Sequence, residues 1–408
     1  MNPYRWTILA VGTAAQGALA AVQQGLPALG PALRDAYGLS LPEVGLVLAS
    51  VSWGIMLTLL AWGALADRIG ERTVICLGLA GATLALTAAA WAPSFAWLVF
   101  ALAVAGALGG SASAASGRAV MGWFDRSERG MALGVRQMAV PMGGAIAAVA
   151  LPLAVALGGL RAALLLLGGA CAAGALAAGR WLREPPPTTA QRPPVAAPRP
   201  LRDRRVWRLS VASALLVWAQ IALLAFCVLF LHDARGLSAA AAAGVLALMQ
   251  LGGALARVLA GRRSDRRGPR IAPLRRLGLA TAAALLATAA LASAPLLLLV
   301  PVLVVAGVLS MSWNGLSFTA AAELSGRDQA GTALGLQGTV MRALSAGTAI
   351  AFGALVSATS WPLAFALLAF FPLSGALLTG PLVADEERRT GARHEWLRRQ
   401  SLSPAPRV

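Results

Sequence analysis

The chain has 408 residues, of which 58% are hydrophobic and only 12% are charged. Soluble proteins carry about 25% charged residues, so this composition excludes an ordinary soluble domain. All 34 basic residues are arginine, and with 16 acidic residues they give a net charge of +18. These arginines are dispersed at the ends of apolar segments rather than along one helix face, which argues against a nucleic-acid-binding protein.

Twelve apolar stretches, separated by short polar turns, predict membrane-spanning helices. A hydrocarbon core of about 30 Å needs roughly 20 apolar residues of helix. No alternating ten-residue pattern indicates a membrane β-barrel, and the first stretch lacks the cleavage site of a signal peptide. The predicted spans cover residues 6–29, 43–65, 74–91, 95–117, 129–157, 160–181, 206–231, 239–260, 277–293, 296–322, 330–357 and 360–383.

The spans divide into two groups of six. We predict an N-terminal six-helix bundle over 1–181 and a C-terminal six-helix bundle over 206–383. Between them, 182–205 is rich in proline and arginine. Proline blocks helix formation there, so this segment is predicted to be an extended cytoplasmic linker. Residues 384–408 are predicted to form a charged cytoplasmic tail.

Two short phrases occur once in each half. Residues 63–72 and 261–270 both read G-x-x-x-D-R-x-G-x-R and lie 198 residues apart. The phrase G-x-A-L-G over 130–134 returns over 331–335, 201 residues further on. Such duplication is how many membrane transporters are built. The predicted fold class is therefore all-α integral membrane, with twelve transmembrane helices in two pseudo-symmetric six-helix bundles.

The arginines are distributed unevenly between the two sides of the predicted membrane. With a cytoplasmic N-terminus, 28 arginines fall in cytoplasmic segments, while only Arg34, Arg161 and Arg235 fall in outside loops. Cytoplasmic loops of membrane proteins carry the excess of basic residues. We therefore expect a multi-pass, lipid-embedded protein of a bacterial inner membrane, with both termini cytoplasmic. We expect it to be a monomer.

The repeated phrase resembles the signature of the major facilitator superfamily, G-x-L-x-D-R-x-G-R-[RK], which lies between the second and third helices of that family. Glu71 stands where the family has a basic residue. The resemblance covers 6–383 and implies a transporter that works by alternating access. The matching residues here are Gly63, Leu65, Asp67, Arg68, Gly70 and Arg72.

The resemblance implies that this phrase takes part in gating. Asp67 is expected to pair with Arg118, at the end of the fourth span, and to hold the cytoplasmic side shut in the outward-open state. Glycine permits a tight turn and close backbone approach. The alternative is a solvated turn that serves topology only. The predicted gating residues are Gly63, Asp67, Arg68, Gly70 and Arg118, with Asp265 and Arg266 as the weaker counterpart in the second half.

Three arginines lie inside predicted spans: Arg136 in the fifth, Arg257 in the eighth and Arg342 in the eleventh. A charge at the bilayer centre costs at least about 2.5–3.5 kcal/mol, so each should face a cavity or a partner. No acidic residue lies near the middle of a span, and guanidinium binds carboxylate bidentately. We therefore predict a small organic anion, in particular a carboxylate, as their partner. The alternative is that these arginines donate to buried carbonyls and hold helices together.

The placement of two of these arginines resembles that in known anion porters. Arg257, four residues before Gly261, resembles the R-x-x-x-G step of monocarboxylate porters and the oxalate–formate antiporter, in which this arginine binds the substrate carboxylate. Arg342 lies one position out of register with the helix 11 base of that antiporter. Symport with a proton and exchange for a counter-substrate both stay open. The uncharged residues predicted to complete the site are Gln16, Gln220, Asn314 and Gln337.

Other functions stay open. Residues 141–144, Pro-Met-Gly-Gly, resemble the end of the antiporter signature of drug exporters and favour an efflux pump for apolar or cationic compounds. Alternatively, they give the fifth span a close-packed contact with a helix of the second half. A transporter-like sensor or scaffold would bind a ligand without net flux. No paired carboxylates, histidine cluster or nucleophile motif indicates an enzyme, and we expect no metal or other cofactor.

Overall fold

The computed structural model describes residues 3–124, 129–183, 199–325 and 330–388. These residues are helical and contain no strand. Ten helical segments of the described residues, some of them made of consecutive helices, are long and apolar enough to span a membrane. One of the ten, Gly134–Trp181, has 48 residues and is kinked at Gly158 and Gly159. The 21-residue helix Arg5–Gly25 is not among the ten.

Six helices precede the linker, and serine side chains begin several of the long helices. Ser40 and Glu43 form a capping box at the start of one helix, and Ser94 caps the start of another. Such oxygens satisfy the amides that have no partner within a helix. The six are α1 (Arg5–Gly25), α2 (Gly30–Tyr37), α3 (Leu41–Ile69), α4 (Glu71–Ala90), α5 (Phe95–Trp123) and α6 (Arg129–Trp181).

The helices after the linker are more often interrupted. The tenth, eleventh and twelfth predicted spans each consist of consecutive shorter helices, and a last helical segment covers 380–388. The helices are α7 (Arg204–Leu229), α8 (Ala239–Arg267), α9 (Ile271–Ala290), α10 (Leu296–Ser312), α11 (Asn314–Ser325), α12 (Ala330–Ser345), α13 (Thr348–Ala358), α14 (Trp361–Leu368) and α15 (Phe370–Leu378).

The two halves have glycines with positive φ at equivalent turns. Gly38 and Gly236 have φ of 65° and 72°, and Gly70 and Gly268 have φ of 84° and 90°. Glycine is favoured in this left-handed region because it has no Cβ. Each pair lies 198 residues apart, the offset of the signature phrase. The first pair belongs to a third repeated phrase, D-A-x-G-L-S over 35–40 and 233–238, which the sequence analysis missed.

Small residues allow the helices of each half to approach closely. In the first half α1 packs on α6, and α5 packs on α3 and α4; in the second half α7 packs on α12 and α15, and α8 on α10. A Cβ added at Gly54 of α3 would overlap the backbone of α5, and one added at Gly106 of α5 would overlap the backbone of α3. Close packing through glycine and alanine is what drives helix association in lipid. Large apolar side chains face outward, as at Leu157, which is 90% exposed.

The two halves meet at the end of the molecule that carries the Gly38 and Gly236 turns, which we call the closed end. Arg34 forms an ion pair with Asp233 there. A Cβ at Gly45 would lie 2.6 Å from the carbonyl oxygen of Ala349, so α3 touches the backbone of α13. The opposite end carries the Gly70 and Gly268 turns, and we call it the signature end.

Nearer the middle of the molecule, α6 crosses α8. A Cβ at Gly144 would overlap the side-chain amide of Gln250, so the absence of a side chain permits this crossing. Gln250 is fully buried, and its Nε2 donates to the carbonyl oxygen of Gln24 at 3.3 Å. The close-packed contact between residues 141–144 and a helix of the second half is therefore confirmed.

Candidate functional site

A cavity of about 280 Å³ lies between the two halves. Its wall comes from α1, α3 and α5 on one side and from α7, α11, α12 and α13 on the other. Among the described lining residues, Arg342 alone carries a charge. The polar lining residues, apart from Trp53, are Gln23, Gln24, Ser52, Ser113, Gln220, Arg342 and Ser345.

Arg342 is exposed on the cavity wall, near the end of α12. Within the part of the chain that the structure describes, it has neither a hydrogen-bond partner nor an ion-pair partner. Its Nη1 lies over Gly338, one helical turn earlier, where an added Cβ would be 3.7 Å away. An arginine inside a membrane segment normally pairs with an acidic group or with carbonyls. An unpaired guanidinium on a cavity wall is therefore suited to an anionic ligand.

The helix that carries Arg342 is interrupted shortly after this residue, between α12 and α13, and two tryptophans donate hydrogen bonds to the carbonyls there. The indole Nε1 of Trp218 donates to the carbonyl oxygen of Leu344 at 2.9 Å, and that of Trp53 donates to Ala346 at 2.6 Å. Carbonyls beside a helix end need such partners in the absence of water. Trp53 lies on α3 and Trp218 on α7, so one tryptophan from each half fixes the segment between α12 and α13.

Arg136 has a different environment, because its side chain is enclosed by hydrogen-bond acceptors. It is 8% exposed. Its Nε donates to Ser116 Oγ at 2.8 Å, and Nη2 donates to Gln16 Oε1 at 3.1 Å and to the Ser113 carbonyl at 3.2 Å. Its Nη1 donates to Gln137 Oε1 at 3.2 Å. These bonds tie α6 to α1 and α5, and they match the alternative in which an arginine holds helices together.

Gln337 occupies the corresponding place in the second half. It lies 201 residues after Arg136, and Ser317 lies 201 residues after Ser116. Gln337 is fully buried, and its Nε2 donates to Ser317 Oγ at 2.6 Å and to Ser213 Oγ at 3.0 Å. Each half thus contains a buried donor that connects three helices. Gln337 is not among the lining residues of the cavity.

Arg257 lies on α8 and does not line the cavity either. Its Nε and Nη2 lie 3.3 and 3.2 Å from the carbonyl oxygen of Met311. Asn314 Nδ2 donates to the same carbonyl at 3.2 Å and to Gln220 Oε1 at 3.2 Å. The helix is interrupted between α10 and α11 at this point, because the Arg257 and Asn314 side chains both donate to the Met311 carbonyl. Gln220 connects this cluster to the cavity.

The predicted gate falls largely on side chains that the structure does not describe: those of Asp67, Arg118 and Asp265 lie outside it. Gly70 makes the turn between α3 and α4, whereas Gly63 lies inside α3 with no described atom within 4 Å of an added Cβ. The side chains of Arg68 and Arg266 are exposed. The pairing of Asp67 with Arg118 stays a prediction.

Five polar wall residues were not among the predicted site residues: Gln23, Gln24, Ser52, Ser113 and Ser345. Gln23 lies seven residues, or two helical turns, after Gln16 and shares its face of α1. Ser345 lies three residues after Arg342 on one face of α12. Ser52 accepts a hydrogen bond from Gln23 Nε2 at 3.0 Å. Helical spacing from predicted residues was thus a usable signal for Gln23 and Ser345.

Comparisons with known proteins agree with the sequence resemblance. A family model described as Major Facilitator Superfamily matches residues 10–350. An uncharacterized MFS-type transporter of Mycobacterium tuberculosis, Rv2994, is 35% identical over 402 residues, which is 96% of this chain and 90% of that protein. The probable sulfoacetate transporter SauU of Cupriavidus necator is 29% identical over 378 residues, 85% of each chain.

The fold is also found among solved structures. The crystal structure of a bacterial homologue of the human lysosomal transporter Spinster, in an inward-facing and unoccupied conformation, superimposes with a TM-score of 0.77. It covers 95% of this chain and 97% of that one, at 18% sequence identity. Identity this low carries information on the fold alone.

Proposed function

This chain belongs to the Major Facilitator Superfamily, and from that premise we propose that it moves a small organic anion, in particular a carboxylate, across the membrane. Transport is secondary active and proceeds by alternating access. The two halves rock around the cavity between them, and Arg342 anchors the anion. The single observation that carries the proposal is the guanidinium of Arg342, which lies on the cavity wall and has no partner among the described residues.

The chemistry of the wall supports an anion over a cation or an apolar compound. Arg342 is the one charged group among the described lining residues, and the other polar groups are amides, hydroxyls and an indole. A cavity of about 280 Å³ favours a small molecule. The Cupriavidus relative is named a probable sulfoacetate transporter, which agrees with an anionic substrate.

Alternating access of this kind requires twelve spans, six in each half. Dividing Gly134–Trp181 at Gly158 and Gly159, and adding Arg5–Gly25, turns the ten candidate spans into twelve. Six fall in 1–181 and six in 206–383, joined by the linker over 182–205. If the arginine-rich segments are cytoplasmic, the closed end faces outward and this conformation is the inward-facing one. The gating residues at the signature end would then meet in the opposite conformation.

Coupling does not use Arg342 itself. Arginine stays protonated in proteins, so it cannot carry the coupled proton. Proton symport with the substrate's own titrating group and exchange for a second anion are both compatible with one fixed positive charge in the cavity.

A thermal-shift screen of the purified protein in detergent tests this proposal. The panel contains acetate, glycolate, sulfoacetate, inorganic anions and cationic drugs, each measured on the parent and on Arg342→Ala. A ligand at about 100 times its Kd stabilises the folded state by about 2.7 kcal/mol. Stabilisation by an organic anion that disappears in Arg342→Ala is the expected result. Stabilisation only by cationic drugs, retained in Arg342→Ala, would replace the proposal with an efflux pump.

A second measurement separates a transporter from a sensor. Proteoliposomes are loaded and diluted with the anion that gives the largest shift. Accumulation or exchange that depends on Arg342 supports transport. Binding without any flux in either direction would support the sensor or scaffold instead.

A further inference from the structure

We propose that Arg257 is a positioning residue: it acts through the Met311 carbonyl and Asn314 to aim the amide N–H of Gln220 at the bound anion. The inference rests on the proposed anion site at Arg342 and adds a second donor to it. It gives Arg257 a role that does not involve touching the substrate.

The contacts of Arg257 point away from a direct role. Its Nε and Nη2 both donate to the Met311 carbonyl oxygen, at 3.3 and 3.2 Å. This places the guanidinium beside the end of α10, where the helix is interrupted at Trp313 before α11 begins. A planar guanidinium that donates twice to one oxygen is fixed in orientation. The Met311 carbonyl is therefore held in place from α8.

Asn314 passes this constraint to the cavity. Its Nδ2 donates to the Met311 carbonyl at 3.2 Å and to Gln220 Oε1 at 3.2 Å. An amide nitrogen has two hydrogens, so both are used by these two bonds. The bond to the Met311 carbonyl orients the Asn314 amide, so that its other N–H points to Gln220 Oε1.

The result at the cavity wall is a Gln220 side chain with a defined direction. Its Oε1 accepts from Asn314, so its Nε2 remains to donate into the cavity that Gln220 and Arg342 both line. An N–H on the wall of the cavity that Arg342 also lines gives an anion a second donor. If the amide turned over, Oε1 would face the anion, and two oxygens without a proton between them repel each other. Arg257 therefore controls anion affinity through Gln220.

A double-mutant cycle tests this link. Anion affinity is measured by thermal-shift titration with acetate, glycolate and sulfoacetate for the parent, Arg257→Gln, Gln220→Ala and the double variant. Loss of one hydrogen bond to a charged group lowers affinity about tenfold. We expect each single change to cost about tenfold and the double variant to cost no more, since Arg257 acts through the group that is already removed.

One variant serves as a control for the effect of any substitution near the site, and another replaces Arg257→Gln if that variant does not fold. Thr319→Ala removes a hydroxyl of α11 that bonds only within its own helix, to the Gly315 carbonyl at 2.9 Å, and should leave affinity unchanged. If Arg257→Gln does not fold, Asn314→Ala in a cycle with Gln220→Ala measures the same link without loss of a charge. That cycle should be non-additive as well.

The outcomes separate this inference from the proposed function. Additive losses, about a hundredfold in the double variant, would overturn the inference and show that Arg257 contributes independently of Gln220. If none of the three anions stabilises the protein in an Arg342-dependent manner, the proposed function fails, and this inference falls with it. Non-additive losses together with dependence on Arg342 support both.

Discussion

Arg136 and Arg342 are the same residue type in the same membrane, yet their surroundings differ in every respect. Arg136 is buried and donates to four neutral oxygens, whereas Arg342 is exposed to the cavity and has no partner among the described residues. Four of the five N–H donors of Arg136 are thus used within the protein, which leaves little capacity for a ligand. We therefore propose that the set of partners, rather than depth in the membrane, separates a structural arginine from one that binds a ligand.

The internal repeat sharpens this difference. Gln337 stands at the position equivalent to Arg136 and makes the same kind of bonds, so this position connects helices in both halves. The position equivalent to Arg342 is Pro141, 201 residues earlier. The proposed anchor therefore has no counterpart in the first half. In the proposed complex, charge from the second half and neutral groups from the first would hold the anion.

Removal of the charge at Arg342 should have the largest effect. Arg342→Ala should lower uptake of the transported anion by about a hundredfold or more, which is about 2.7 kcal/mol. The protein should stay folded because the side chain bonds to no described residue. Arg342→Lys should retain part of the activity, since it keeps the charge but loses the bidentate fork. Uptake into proteoliposomes measures this. Near-normal uptake by Arg342→Ala would contradict the role of Arg342 as the residue that anchors the anion.

Arg136 should respond in stability rather than in affinity. Arg136→Ala removes the three hydrogen bonds that join Arg136 to α1 and α5, and about 1–3 kcal/mol of stability is expected to go with each bond from this charged group. Gln16 Oε1 keeps the hydrogen bond from Ser113 Oγ at 3.3 Å. Arg136→Gln should stay close to the parent, because the second half already has glutamine at this place. Thermal unfolding in detergent measures both variants. A loss of anion affinity in Arg136→Gln, with the melting temperature retained, would place Arg136 in the binding site after all.

The equivalent change in the second half should be milder. Gln337→Leu removes two hydrogen bonds, and about 1 kcal/mol of stability is expected to go with them. The loss is limited because Ser213 Oγ and Ser317 Oγ keep their own bond at 2.5 Å. The same change also removes Gln337 Oε1, a buried atom that has no partner among the described residues. A destabilisation as large as that of Arg136→Ala would mean that the two positions are not equivalent.

Gly338→Ala should have the smallest effect of the series. An added Cβ would lie 3.7 Å from Arg342 Nη1, an ordinary van der Waals distance. Alanine favours a helix over glycine by roughly 1 kcal/mol, so stability should not fall, and anion affinity should change less than about threefold. A larger loss of affinity would show that Arg342 needs the space over Gly338 to bind its anion.

Much of the fold follows from hydropathy, because the predicted spans and the observed helices agree closely over most of the chain. The breaks at Trp313 and after Ser345 do not follow from it. They lie where Arg257, Trp53 and Trp218 donate to helix carbonyls, and these partners come from distant parts of the sequence. The repeated phrase that contains Gly38 and Gly236 could have been predicted from the sequence, because both copies share five of six residues.

The candidate site was predictable to a lesser degree. The charge of Arg342 and the absence of a central carboxylate are properties of the sequence, and they led to the anion hypothesis. What separates Arg342 from Arg136 and Arg257 is which acceptors surround each guanidinium. That depends on how helices rotate against one another, and spacing alone does not determine it.

The charge selectivity of the cavity tests the central claim most directly, because it needs no knowledge of the substrate. Ser52→Cys places a thiol on the wall opposite Arg342. Its reaction rates with anionic sulfonatoethyl and cationic trimethylammoniumethyl methanethiosulfonate are compared. The parent chain, in which Cys171 and Cys227 are buried and Cys76 is partly exposed, gives the background.

Arg342 should favour the anionic reagent, and adding Arg342→Ala should lower the anionic-to-cationic rate ratio about tenfold, or about 1.4 kcal/mol. A ratio unchanged by Arg342→Ala would contradict the assignment of Arg342 as the charge that makes this cavity an anion site.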